Sequence, residues 1–241
     1  MKILPISAGY NKNNNFAANR INQKYSAQNK KSVSGSFPWL KNRSIEFALN
    51  ALQEVKFNQE DVTYMNSMGL TLPFLSGKEA IDFLKEKNVR IGYAKMTDPS
   101  IHAQYDFEKN FIAINEKYKD TNDFPVILAI SEAILHESGH AKDNDDSNSI
   151  QEELQCLALN VLAHKYHTAL YPSIFENKNE NIIREGVELY TQLYFDVNPQ
   201  KDALIKRVQD KYGFLPAGDE KHLPSPMAQI IGNATPINTF K

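Results

Sequence analysis

Three observations predict an α+β fold. Apolar residues recur at helical spacing on both flanks of the ordered region, three short β-rich runs lie together between those flanks, and the most apolar segment of the chain follows directly on the last run. Helices, then a small sheet, then helices is the order of an α+β domain. The sheet is expected to be short, mixed or antiparallel, and packed on the apolar helix, with further helices C-terminal to it.

The first helix is expected from Ile45 to about Val55, on the spacing of Ile45, Phe47, Ala48, Leu49 and Leu52, with Ser44 as its cap. After a loop containing Pro73, Ser76 starts a second helix that runs to Lys87. VRIGYAKM (89–96), AQYD (103–106) and FIAIN (111–115) read as strands, the last two joined through the turn-prone Asp106–Asn110. FPVILAISEAILHESGHA (124–141) is a helix that is apolar almost all round and therefore buried, with Asp123 as a cap and Pro125 in the first turn. A polar loop over 142–148 precedes a helix from about Ile150 to Leu170. Two more helices are expected near 181–195 and from Pro199 to Tyr212, closed by Gly213. Residues 214–241, with Pro216, Pro224, Pro226 and Pro236, read as an irregular tail.

Composition is that of an ordinary soluble domain, and the longest apolar stretches fall short of the roughly 20 residues a membrane span requires. Eight lysines and arginines stand in residues 1–44, with no acidic residue before Glu46, although the whole chain carries 27 basic against 29 acidic residues. A basic, Asn- and Ser-rich, disordered arm is therefore expected over 1–44, ahead of a single domain over 45–213. The arm is the one feature that would meet nucleic acid or anionic lipid; its plainer reading is a solvated leader against its own acidic body. No apolar segment follows Lys2 as in a signal peptide, and one cysteine fits a reducing compartment, so the cytoplasm is the expected location.

His136, Glu137 and His140 form an HExxH pattern near the end of the apolar helix. Histidines four apart project from one helical face, one turn apart, where both imidazoles can hold a single Zn²⁺. Glu137 is then the general base for a zinc-activated water, and Gly139 lets another segment approach closely. Three ionisable groups on a buried helix are costly unless a cation pairs them.

Glu153 is the first choice for a third ligand. Ser149-Ile150-Gln151-Glu152 has the form of a capping box, which turns Glu152 back to the backbone and leaves Glu153 free to face the site. Glu152 is the fallback. Asp146 competes from six residues beyond His140, the third-ligand position of metzincins, although Asp143 stands where those proteins carry glycine. Cys156, one turn beyond Glu153, reads as a small buried hydrophobe. His164 and His167 lie some three turns further along, about 16 Å at 1.5 Å per residue, too far to join the same ion.

These residues resemble those of the ImmA/IrrE-type metallopeptidases, compact gluzincin-like enzymes. LPFLSGKEAIDFLKEKNVRI looks like that family's helix and first strand, and AQYDFEKNFIAIN like its hairpin, with Asn115 closing the second strand. HESGH matches its HELGH, and EELQCLALNVL its EEANxFAAxLL helix, with Leu154 and Gln155 in place of Ala and Asn. The resemblance covers about residues 70–165. It implies a small zincin-like domain and a Zn²⁺ cofactor on His136, His140 and, at the position of the family's ligand, Glu153.

The expected function is zinc-dependent hydrolysis of peptide bonds, with Glu137 as general base and a protein or peptide as substrate. Either AQYD or FIAIN can receive that substrate by strand addition. Tyr105, Tyr166 and His167 are the candidate oxyanion donors. The alternative is a zinc-binding regulatory or interaction protein with a zincin fold and little or no peptidase activity.

Overall fold

The computed structural model describes residues 43–143, 148–173, 182–186, 188, 200–213, 215 and 230–237. The arm up to residue 42, the competing ligand Asp146 and most of the helix expected near 181–195 lie outside the described residues.

Helix α1 (Arg43–Glu54) buries Ile45, Ala48, Leu49 and Leu52 as the spacing marked, adds Ala51, and leaves Phe47 half-buried. Ser44, expected as its cap, lies inside the helix instead: its hydroxyl meets the Tyr93 hydroxyl on the sheet. Helix α2 (Gln59–Ser67) occupies what read as loop. Asn58 caps it by accepting from Asp61 N at 2.7 Å, and Glu60 and Asp61 suit its first turn. With Val62 and Met65 its only buried hydrophobics, it carries too little apolar periodicity to stand out. Ser76 caps α3 (Gly77–Glu86) as expected, accepting from Glu79 N at 3.2 Å. Gly77 seats α3 on α1: its N–H donates to Val55 O at 3.0 Å, and a Cβ there would overlap the Leu52 carbonyl.

The sheet is mixed, with strand order β2-β3-β1-β4. Strand β1 (Arg90–Met96) runs parallel to β3 (Phe111–Asn115), with Ile91 opposite Ile112, and β2 (Ala103–Asp106) forms an antiparallel hairpin with β3. In the turn, Asp106 Oδ1 accepts from Lys109 N at 3.0 Å and Asn110 takes a positive φ of 45°. All five residues of β3 are buried, as suits an interior strand, whereas β2 is an edge. Residues 230–237 correct the expectation of an irregular tail over 214–241. They form β4, antiparallel to β1 on the opposite edge, with Pro236 opposite Gly92. Proline cannot donate to a ladder but is tolerated on an edge strand, which is where β4 lies.

Helix α4 (Phe124–Asp143) packs against α1, β2 and β3. Helix α5 (Ile150–Leu170) lies along α4, and α6 (Gln200–Tyr212) packs on α5. Gly69 O accepts from Gln151 Nε2 at 3.1 Å, and Lys142 Nζ reaches Pro73 O while lying 4.5 Å from the Phe74 ring centroid. The α2–α3 loop is thereby tied across the α4–α5 junction. No helix among the described residues is long and apolar enough to cross a membrane.

Candidate metal centre

One helical turn on α4 brings His136 Nε2 and His140 Nε2 to 3.2 Å from each other. The first turn of α5 adds Glu153, 1% exposed, with Oε2 at 3.6 Å from His136 Nε2 and Oε1 at 3.6 Å from His140 Nε2. Ligands about 2.0–2.1 Å from a tetrahedral ion stand about 3.3–3.4 Å apart. The separation of the two histidine nitrogens is close to that edge, and each imidazole meets a different oxygen of the Glu153 carboxylate, so the two histidines and this carboxylate can surround a zinc ion. The charges suit a cation: Glu152 and Glu153 set two buried carboxylates against the imidazoles, and Glu137 is a third buried carboxylate on the same turn of α4. Among the described residues, Glu153 Oε2 has no hydrogen-bond partner, nor does His136 Nδ1.

The capping box formed on one side as expected, with Ser149 Oγ accepting from Glu152 N at 3.0 Å. The Glu152 side chain has a use the sequence did not show: its Oε1 lies 2.6 Å from His140 Nδ1. A carboxylate there holds the proton on Nδ1 and turns the Nε2 lone pair toward Glu153 and His136. Of the two adjacent glutamates, Glu153 is thus the one set against both Nε2 atoms. Asn148 Nδ2 approaches its Oε1 at 3.4 Å.

These contacts govern protonation. Burial raises the Glu153 carboxyl, but His140 and His136 beside it outweigh burial and lower it to about 2. Burial likewise opposes the His140 cation, yet Cys156, Glu153 and Glu152 around it hold the imidazole well above its ordinary value.

Cys156 is closer to the centre than its reading as a packing residue implied. Its Sγ and one ring nitrogen from each of His136 and His140 all lie within 4.8 Å of one another. Burial pushes the thiol up to about 11. Gly139 makes the close helix approach that the sequence suggested: a Cβ there would lie 2.5 Å from Cys156 Sγ.

Glu137 sits at the junction with the sheet, where its Oε2 accepts from the Tyr105 N–H of β2 at 2.8 Å. The general-base candidate and the sheet edge are therefore one unit. Among the oxyanion candidates, Tyr105 gives its hydroxyl to Asn110 Oδ1 at 3.1 Å. His167 is withdrawn from that role, since it is 1% exposed with Nδ1 at 2.9 Å from Glu132 Oε1. Glu132 also holds His164 Nδ1, at 3.2 Å from Oε2, so one buried carboxylate on α4 joins two buried histidines of α5. Burial raises Glu132, but His164 and His167 more than compensate and its carboxyl is lowered. The hints in the sequence were the charge of Glu132 within the apolar first half of the helix and the spacing of His164 and His167.

No protein-family model, curated protein or solved structure matches the chain.

Proposed function

We propose that the chain is a metallopeptidase, and in particular a zinc-dependent one in which His136, His140 and Glu153 would hold the ion. The observation that carries this reading is the convergence of His136 Nε2, His140 Nε2 and the Glu153 carboxylate at 3.2–3.6 Å in a buried site. When bound, zinc supplies Lewis acidity, which lowers the pKa of water and polarises a carbonyl.

The chain's own groups do the rest. Glu152 orients His140, and the Tyr105 N–H holds the Glu137 carboxylate at the β2 edge. Strand β2 pairs with β3 on one side, so an extended substrate can add along its other side and bring a peptide carbonyl beside Glu137. Of the two strands considered for this role, FIAIN is interior and AQYD is the edge. Glu137 then takes a proton from water and returns it to the departing amine. A single cysteine is in keeping with a reducing, cytoplasmic setting.

One observation favours the second reading, a zinc-binding regulatory protein with little peptidase activity. Cys156 lies beside the histidine donors, and four protein ligands are the mark of a structural zinc site.

The test compares wild type with His140→Ala and Glu137→Gln. Wild type prepared without chelator is expected to contain zinc and His140→Ala to lose it. Glu137→Gln should keep zinc while hydrolysis of an unstructured peptide library falls by about 10²–10⁴. Zinc-free wild type would refute the site, and an unchanged rate in Glu137→Gln would refute the base.

A further inference from the structure

We infer that Cys156 is a fourth protein donor to the ion at His136, His140 and Glu153, closing the resting site and holding the peptidase latent; this rests on the zinc reading above.

Three features carry the inference. Sγ lies within 4.8 Å of a ring nitrogen of both histidines. Glu153 and Cys156 are three apart on α5 and so share the face turned to α4. On α4, Gly139 leaves the space that Sγ fills, since a Cβ there would stand 2.5 Å from it. A separate observation favours a cation at this spot: Glu153 is 1% exposed, and among the described residues its Oε2 has no hydrogen-bond partner and faces only the His136 Nε2 ion-pair contact at 3.6 Å.

Zinc–nitrogen bonds of 2.0–2.1 Å and zinc–sulfur bonds near 2.3 Å put N and S about 3.6 Å apart in a tetrahedron, so a shift of about 1 Å brings Sγ into the sphere. On binding, the S–H bond breaks, its proton passes to solvent, and the sulfur lone pair forms the metal bond; no oxidant or reductant is needed. Two imidazoles, one carboxylate and one thiolate fill four positions and leave none open for water, unlike the three-ligand pattern of catalytic zinc. Withdrawal of the thiolate reopens the site.

The experiment loads the full chain with Co²⁺ and records its absorption spectrum. Wild type is expected to show a near-ultraviolet sulfur-to-cobalt charge-transfer band. Cys156→Ser should lose that band, retain cobalt on the other three donors, and hydrolyse peptides faster than wild type in the zinc form. Gly139→Ala, which sets a methyl against Sγ while keeping the thiol in the chain, should weaken the band. A cobalt-loaded wild type without the band overturns the inference and leaves the zinc reading standing, so the wild-type spectrum decides even if a variant misfolds. A wild type that takes up no cobalt overturns both.

Discussion

Removing the Glu152 side chain leaves His140 Nδ1 without the carboxylate it meets at 2.6 Å, in a pocket where both residues are buried. Glu152→Ala frees the imidazole to turn and to carry its proton on either nitrogen, which weakens the donor facing the ion. Partners of this kind are worth about 10–100-fold in metal affinity, or about 1.4–2.8 kcal/mol at 1.4 kcal/mol per tenfold. Glu152→Gln keeps an acceptor oxygen and loses the charge, so its loss is expected at the lower end, about tenfold. The helix cap survives both changes, because Ser149 accepts from the backbone N–H of residue 152. Glu153→Ala deletes a donor and is expected to cost more than either. The assay is competition for zinc against a chromophoric chelator at fixed pH, with unfolding of the metal-free variants as the folding control. Wild-type affinity in Glu152→Ala would refute the orienting role. A larger loss in Glu152→Ala than in Glu153→Ala would reverse the two assignments.

Two further predictions concern buried charge. In the metal-free protein, the lowered Glu153 carboxyl contributes stability above its unfolded value of about 4.3, lost as pH falls toward about 2. The raised His140 contributes stability that is full below its unfolded value of about 6.5 and lost as pH rises through its folded value. Urea unfolding of the chelated protein should therefore show greatest stability between about pH 4.5 and 6.5; stability that keeps climbing above about pH 8 would contradict the assignment. Glu132→Ala strands two buried imidazoles, and breaking a buried pair of this kind costs about 3–5 kcal/mol. Urea denaturation measures it, and a loss below about 1 kcal/mol would show that the cluster relaxes without its carboxylate.

Local rules made much of the structure legible. The spacing of His136 and His140 placed them on one face, and the cap at Ser149 set the phase of α5 and so brought Glu153 to them. Unbroken apolarity marked α4 as the buried helix, and alternation with turn residues marked the β2–β3 hairpin. What escaped depends on partners far along the chain. Ser44 reads as a cap until Tyr93 stands opposite it, and Glu152 as half of a capping box until His140 reaches it. The group formed by Glu132, His164 and His167 arises from two helices packing side by side, which neither helix encodes alone. Strand β4 was hidden by its proline, whose position against Gly92 is acceptable because, among the described residues, no strand pairs beyond it.

Strand β4 also sets an order of assembly. The hairpin and the β1–β3 pairing join segments close in sequence, whereas β1 ends at Met96 and its other neighbour begins at Ile230. Non-local pairings form slowly, because a long loop must close before any contact rewards it. The helices bearing the candidate metal donors can therefore settle on a three-stranded sheet before the fourth strand docks. Until it does, the outer edge of β1, with Ile91 and Tyr93 along it, is open to strands from other molecules. The last strand to arrive adds no donor to the centre; its contribution is to cover β1 and to put at that side of the sheet an edge strand interrupted by Pro236.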